Sequence, residues 1–528
     1  MLTSTRMGYY APLSWLSYAV DHALWGLNPA GYHLTGLALH ALNAVLFYEL
    51  SSLLLGLVFP KEDPRSLATG AVFAALAFAA HPLRVESVAW ASERRDVLSG
   101  AFFLLTILLY VKAAGRGDKR ERFRLRAWSV AAFACAALSK ATVVPLPAAL
   151  LALDVYPLRR LAAGERTAET RARLVEKWPY VLIAAAAAVL AIRAQLVSGH
   201  LTAVAEHGAA GRLAQAAYGA GFYVWKTLLP TGLCALYPLD ARGVPGLSML
   251  AGAAAAAAVA GACAALGVPR RAQAALWGYY LAMVSPVLGL LQNGPQLVAL
   301  RYSYLPCLGW ALLTGAAAVS ALQHRTKQPI RSAAALGALS LWLASNAWAA
   351  QAQIALWRDD RSLWENVVSR YPLSAYANMN LAEGLLQEGR PKEAEAYARI
   401  AARLAPNDRA AIITLAKALS EEDRLPEARE ALERGLRAEP DWGDGQALLG
   451  VVLSRQGRDE SAASLQRAAA LLPSSAEAQG NAGASLALRG RFAEAIPYFE
   501  KAANLDPSNP SYAGQLERAR RDLSRGGR

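Results

Sequence analysis

The residue types that do chemistry crowd one stretch, residues 81–96, HPLRVESVAWASERRD. His81, Arg84, Glu86, Glu93, Arg94, Arg95 and Asp96 stand there between two apolar runs, with Trp90 among them. Charges beside a bilayer are costly unless paired or solvated, so each of these groups is a functional candidate. As a single helix, the stretch would set Glu86 and Arg94 on a similar face, roughly 12 Å apart at 1.5 Å per residue. A long Arg side chain still approaches a phosphate held between them. Two further cations stand near helix ends: Lys140 in LSKATVVP, and Arg301 in LVALRYSYLP beside Tyr302 and Tyr304. An amine and a guanidinium facing one cavity hold a phosphate or diphosphate, Lys as a point charge and Arg as a planar fork. The plainer reading makes the loop charges pair with one another, and makes Lys140 and Arg301 anchors that snorkel to the membrane surface.

Other chemistries lack their residues. His33 and His40 share a helical face, and His22 lies nearby, but no carboxylate joins them at ligand spacing, so no metal is expected. There is no P-loop, dinucleotide-binding glycine turn, Ser-His-Asp elbow or HExxH sequence, so no nucleotide or other cofactor is expected. Cys135, Cys234, Cys263 and Cys307 are scattered in or beside apolar runs and read as small packing residues.

These groups must be held by elements that the composition already splits in two. Residues 1–355 carry 30 Lys+Arg against 15 Asp+Glu, whereas residues 356–528 carry 24 against 25. The net +14 thus comes from the hydrophobic part, which argues against an evenly basic nucleic-acid-binding surface. A bilayer core needs about 20 apolar helical residues. Ten apolar segments are read, most of them near that length and 127–139 short: 32–58, 67–82, 97–113, 127–139, 142–158, 178–197, 246–268, 272–291, 302–321 and 332–350. Residues 1–355 therefore read as a polytopic membrane domain. With the N-terminus outside, the inner loops hold 20 of the 30 cations, as the preference of Lys and Arg for the cytoplasmic side requires. That count leaves 213–230 as an interface-lying or re-entrant helix, and it places residues 81–96 and the C-terminal part on the outer side.

The C-terminal part is periodic. Pro372, Pro406, Pro440, Pro473 and Pro507 are spaced by 34, 34, 33 and 34 residues, the tetratricopeptide period of two helices per unit. Leu381-Ala382, Leu415-Ala416, Leu449-Gly450 and Ala482-Gly483 fill one paired site. Ala394, Ala428, Ala462 and Ala495 fill the position where the two helices approach too closely for a branched side chain. Residues 356–372 read as a half-repeat junction, and 373–528 as four repeats plus a capping helix. The expected fold is all-α: a polytopic transmembrane helix bundle followed by a tetratricopeptide α-solenoid. Such a solenoid offers a groove for a protein or peptide; otherwise it is a spacer or an oligomerisation module.

The quoted stretches, together with MGYYAPLSWLSYAVDHALWGLNPAGYHLTGLALHALNA and LSKATVVPLPAALLALDVYPLRR, resemble a bacterial set of polytopic proteins. These are similar to the transmembrane-and-tetratricopeptide-repeat O-mannosyltransferases of animals. The resemblance implies a C-type glycosyltransferase fold with its active site on the outer face, in a bacterial inner membrane with periplasmic repeats. It implies transfer of a sugar, with inversion, from a polyprenyl-phosphate donor to a hydroxyl acceptor, often a protein Ser or Thr. Glu86, Arg94 and Asp96 would then be catalytic-loop residues, and Lys140, Arg301 and Tyr302 would bind substrate phosphate. Members of that family carry a first span and then paired aspartates that supply the base. Met1-Leu2-Thr3 aligns with mid-loop sequence, so the chain reads as truncated at its N-terminus. Leu300 stands where an acidic residue is usual. The alternative is a non-catalytic, membrane-anchored repeat scaffold.

Overall fold

Helix starts are written locally. Pro29 and Pro64 each open a helix at a position whose N–H would have no partner, behind the capping side chains of Asn28 and Asp63. Asp118 accepts from the Glu121 N–H at 2.8 Å, with Glu121 placed three residues on as in a capping box. The computed structural model describes residues 10–161, 167–198, 204–239, 246–290, 294 and 296–526, in two compact units, 1–358 and 359–528. The first nine residues, on which the expectation of a truncated start rests, lie outside the described residues.

The first unit contains α1 (Pro12–Trp25), α2 (Pro29–Val58), α3 (Pro64–Ala79), α4 (Val85–Ala89), α5 (Arg94–Ala114), α6 (Lys119–Ser139) and α7 (Leu146–Val155). It continues with α8 (Thr167–Val175), α9 (Trp178–Ser198), α10 (Val204–Leu228), α11 (Gly246–Ala265), α12 (Arg270–Val284), α13 (Leu308–Gln323) and α14 (Pro329–Leu356). Short antiparallel strands β1 (Tyr237–Pro238) and β2 (Gln296–Val298) pair between them. The centre is α5, whose Val97, Phe103, Leu104, Ile107 and Val111 are buried against α2 and α6.

By length and composition, α2, α9, α14 and the stretch Ala91–Ala114 are apolar enough to cross a membrane, and α3 with Pro82–Ala89 makes a fifth candidate bent by 52°. Ten segments were expected. Ala141–Val155, Met249–Ala265 and Leu308–Gln323 are apolar but shorter, and α6 opens on the charged run KRERFRLR. The bend follows Pro82, which lacks the N–H needed to continue α3; the His81 ring caps the new turn by accepting from the Leu83 N–H at 3.2 Å. α10 packs on α11 with Tyr218, Phe222, Tyr223 and Val224 buried, while Leu213 and Leu228 are exposed.

The second unit contains α15 (Asp360–Arg370), then the pairs α16 (Ala375–Gln387) and α17 (Pro391–Leu404), α18 (Arg409–Glu421) and α19 (Leu425–Ala438), α20 (Gly443–Arg455) and α21 (Ser461–Leu471), and α22 (Ala476–Ala487) and α23 (Phe492–Leu505). It ends with α24 (Pro510–Gly526). Ser374, Asp408 and Ser475 cap first helices by accepting from the backbone N–H three residues on. Ala394, Ala428 and Ala495 are fully buried and Ala462 nearly so. Each helix packs on its neighbours in sequence or on the like helix of the next repeat.

The turn inside each repeat needs a left-handed residue. Gly389, Gly457 and Gly490 supply it with φ of 72°, 69° and 72°, but Asp423 takes the same place at φ 59°. Among the described residues the Asp423 side chain reaches only Arg455, at 3.5 Å. Asp423→Gly is therefore expected to stabilise the repeat unit by about 0.5–1 kcal/mol, because a Cβ is strained in that conformation. A higher melting temperature by circular dichroism checks it; a lower one shows that the Arg455 contact outweighs the strain.

Candidate functional site

Residues 81–96 do not form one helix. Pro82–Arg84 and Ala91–Glu93 are single 3-10 turns around the short α4, and α5 starts only at Arg94. Glu86 and Arg94 consequently lie on different helices, and the single helix that would align them does not form.

Glu86 is completely buried. One carboxylate oxygen pairs with the Arg301 guanidinium, and the other accepts from the Arg301 backbone N–H at 3.0 Å. Arg301 is delivered by β2 and the turn Leu300–Ser303; Ala299, just before it, donates to and accepts from the Tyr223 hydroxyl. Its guanidinium lies 4.8 Å from the Tyr302 ring and 5.3 Å from the Trp90 ring, and its Nε stands 3.6 Å from Glu93. Glu93 in turn receives Arg95 at 2.7 Å and Lys140 at 2.9 Å. Lys140 also donates to Asp96 Oδ1 at 2.7 Å, and Ser87 donates to Asp96 Oδ2 at 3.2 Å. Three carboxylates and three cations thus form one buried chain. Burial opposes the charge on Lys140, but Asp96 and Glu93 outweigh it and hold its pKa above the ordinary lysine value.

The chain borders a small opening of about 20 Å³, room for about one water. Asp96, Lys140, Thr142, Arg301, Tyr302 and Tyr304 are among the residues that line it. Tyr304 is fixed by the His40 ring and the Asn43 amide, each 2.8 Å from its hydroxyl. Gly100 makes room for it: a Cβ there would stand 2.9 Å from the ring. Behind Tyr304 sits Arg84, buried, donating to Ser303 Oγ at 2.6 Å and lying over the Phe78 and Tyr304 rings. Among the described residues no carboxylate pairs with Arg84.

Arg94 is elsewhere. It pairs with Asp21, donates to the Tyr32 carbonyl at 2.9 Å and packs over the Tyr18 ring at 4.7 Å. Thr35 donates to the same Asp21 at 2.9 Å. Burial pushes the Tyr18 phenol up to about 12, so it remains a donor to the Ala91 and Ser92 carbonyls. Arg94 therefore clamps α1 and the start of α2, while Glu86, Asp96, Lys140, Arg301 and Tyr302 come together. Sequence reading placed Glu93 and Arg95 in the loop without a role; Glu93 is the link between Arg301 and Lys140, and Arg95 pairs with that same carboxylate. Ser87 carried no signal beyond its position one residue after Glu86.

The second unit is a tetratricopeptide array: family models for the tetratricopeptide repeat match residues 363–451 and 476–509. Arrays of this class bind proteins or peptides in general. A solved relative, "YrrB: a TPR protein with an unusual peptide-binding site", is 24% identical, covering 30% of this chain and 81% of that one at a TM-score of 0.26.

The likeness extends into the membrane unit. Human protein O-mannosyl-transferase TMTC4 is 26% identical over 432 residues, 75% of this chain and 58% of that protein. Tmtc3 of Drosophila melanogaster is 24% identical over 481 residues, 80% and 51%. Human TMTC2 reaches 35% over 153 residues, 29% and 17%. The chain is thus homologous to the TMTC protein O-mannosyl-transferases and carries tetratricopeptide repeats. It spans less than two thirds of the length of these relatives.

Proposed function

We propose that the chain is a membrane glycosyltransferase that moves a sugar from a polyprenyl-phosphate donor to a hydroxyl acceptor such as a protein Ser or Thr. The repeat groove binds the acceptor or a partner protein. The observation that carries this reading is the convergence of Asp96, Lys140, Arg301 and Tyr302 on one opening beside apolar helices. Lys140 and Arg301 hold the lipid phosphate. The acceptor oxygen attacks the anomeric carbon as the bond to the phosphate oxygen breaks, and the electron pair leaves with the lipid phosphate. Asp96 lines the opening and takes the acceptor proton. The donor already carries its leaving group, so no nucleotide is consumed. The inner membrane of a bacterium, with the repeats in the periplasm, is the setting proposed for this donor.

A specific observation favours a second reading, a non-catalytic membrane-anchored scaffold: Glu86, Glu93 and Asp96 are all engaged by cations, which leaves no carboxylate of the network unpaired. One assay separates the two. Purified chain is given a polyprenyl-phosphate mannose and a Ser/Thr-rich peptide, and peptide mass is followed. Lys140→Gln and Asp96→Asn should each slow transfer by about 10²–10⁴-fold. Undiminished transfer in both variants rejects the residue roles, and no transfer by the unaltered chain with any lipid-phosphate sugar supports the scaffold.

A further inference from the structure

The far end of α5 carries a second ionic cluster that the transfer chemistry does not use. Tyr110 lies 14 residues beyond Asp96, or about 21 Å along the helix. Its hydroxyl donates to both oxygens of the buried Asp154, at 2.9 and 2.8 Å. Asp154 also pairs with Lys177 at 2.5 Å and with Arg160 at 3.1 Å. Arg160 continues to Glu176 at 2.5 Å, where Arg126 at 2.8 Å and Arg173 at 2.9 Å also arrive. Three guanidiniums therefore converge on one carboxylate. Among the described residues, Arg126, Arg160, Arg173 and Lys177 pair with Asp154 and Glu176 alone, an excess of two positive charges.

That excess has a direction. Asp154, Arg160 and Lys177 are buried or nearly so, whereas Arg126 and Arg173 are 28% and 33% exposed. Beside them, large apolar side chains stand out from the protein: Trp178 is 61% exposed, Phe123 75% and Leu174 50%. Tryptophans next to basic residues mark the headgroup level of a bilayer. Basic pockets between membrane helices accept anionic lipid headgroups.

We propose that Arg126, Arg160 and Arg173 form a site for the phosphodiester of an anionic glycerophospholipid, with its acyl chains against Leu174 and Trp178. Glu176 splays the three guanidiniums, and the Asp154–Lys177–Tyr110 triad forms a rigid floor beneath them. The headgroup supplies the negative charge that the cluster lacks. This inference does not depend on sugar transfer.

Native mass spectrometry of the full chain in neutral detergent tests it, with dioleoyl phosphatidylglycerol, dioleoyl phosphatidylcholine and inorganic phosphate as probes. Phosphatidylglycerol is expected to be retained about tenfold or more over phosphatidylcholine. Arg173→Gln and Arg126→Gln should each erode that preference several-fold, and the charge-keeping Arg173→Lys should keep most of it. Equal retention of the two lipids by the unaltered chain overturns the proposal without reference to any variant. So does an undiminished preference in both glutamine variants. Displacement of phosphatidylglycerol by millimolar inorganic phosphate assigns the site to a free anion and overturns the lipid.

Discussion

Arg301→Gln is expected to do the greatest damage, and to do it twice. Glu86 is fully buried, and among the described residues its only side-chain partner is the Arg301 guanidinium. Removing that guanidinium leaves a buried carboxylate with a single backbone N–H, a loss of about 3–5 kcal/mol. It also takes away the fork that holds the lipid phosphate, so transfer should fall by at least about 100-fold. The two effects separate in the double variant Glu86→Gln/Arg301→Gln, where the two amides replace the ion pair and stability largely returns. Transfer should stay lost. Thermal unfolding and turnover of the three proteins, measured side by side, decide it. Recovery of transfer along with stability would show that Arg301 serves the fold alone.

Arg94→Ala should come second, with a different signature. Its guanidinium is 1% exposed and holds Asp21, itself 3% exposed, together with the Tyr32 carbonyl. Among the described residues, alanine leaves Asp21 with the Thr35 hydroxyl alone, again a loss of about 3–5 kcal/mol. The damage should be local: α1 should become sensitive to limited proteolysis well below the temperature at which the rest of the unit unfolds. Arg94→Lys keeps a charge but loses the planar fork, and should restore only part of the protection. An α1 as resistant in the alanine variant as in the unaltered chain would reject the clamp.

The contrast between these two arginines shows what the sequence could convey. Periodic features were legible: the recurring prolines and alanines set the repeat helices within a few residues, and long apolar runs marked α2, α5, α9 and α14. Such signals are local, because capping, propensity and burial of one face act within a few turns. Partner choice was not legible. Glu86 meets Arg301 across 215 residues of chain, and Arg94 finds Asp21 in another helix rather than its own loop. Proximity within 81–96 suggested that Glu86 and Arg94 act together; the break at Pro82 and the turn at Ala91–Glu93 send them to different neighbours. The far cluster around Glu176 looked like ordinary basic loops, since only folding brings Arg126, Arg160 and Arg173 to one carboxylate.

The repeat unit, in which each helix leans only on nearby ones, carries a thermodynamic consequence. Its stability is a sum of per-repeat contributions and nearest-neighbour couplings rather than one indivisible quantity. Melting can begin at an end and advance unit by unit, so a midpoint read by circular dichroism is an average over the repeats. α24, joined to the rest mainly through α23 and α22, is where such a front would start, and amide hydrogen exchange along the array would record its advance as a gradient.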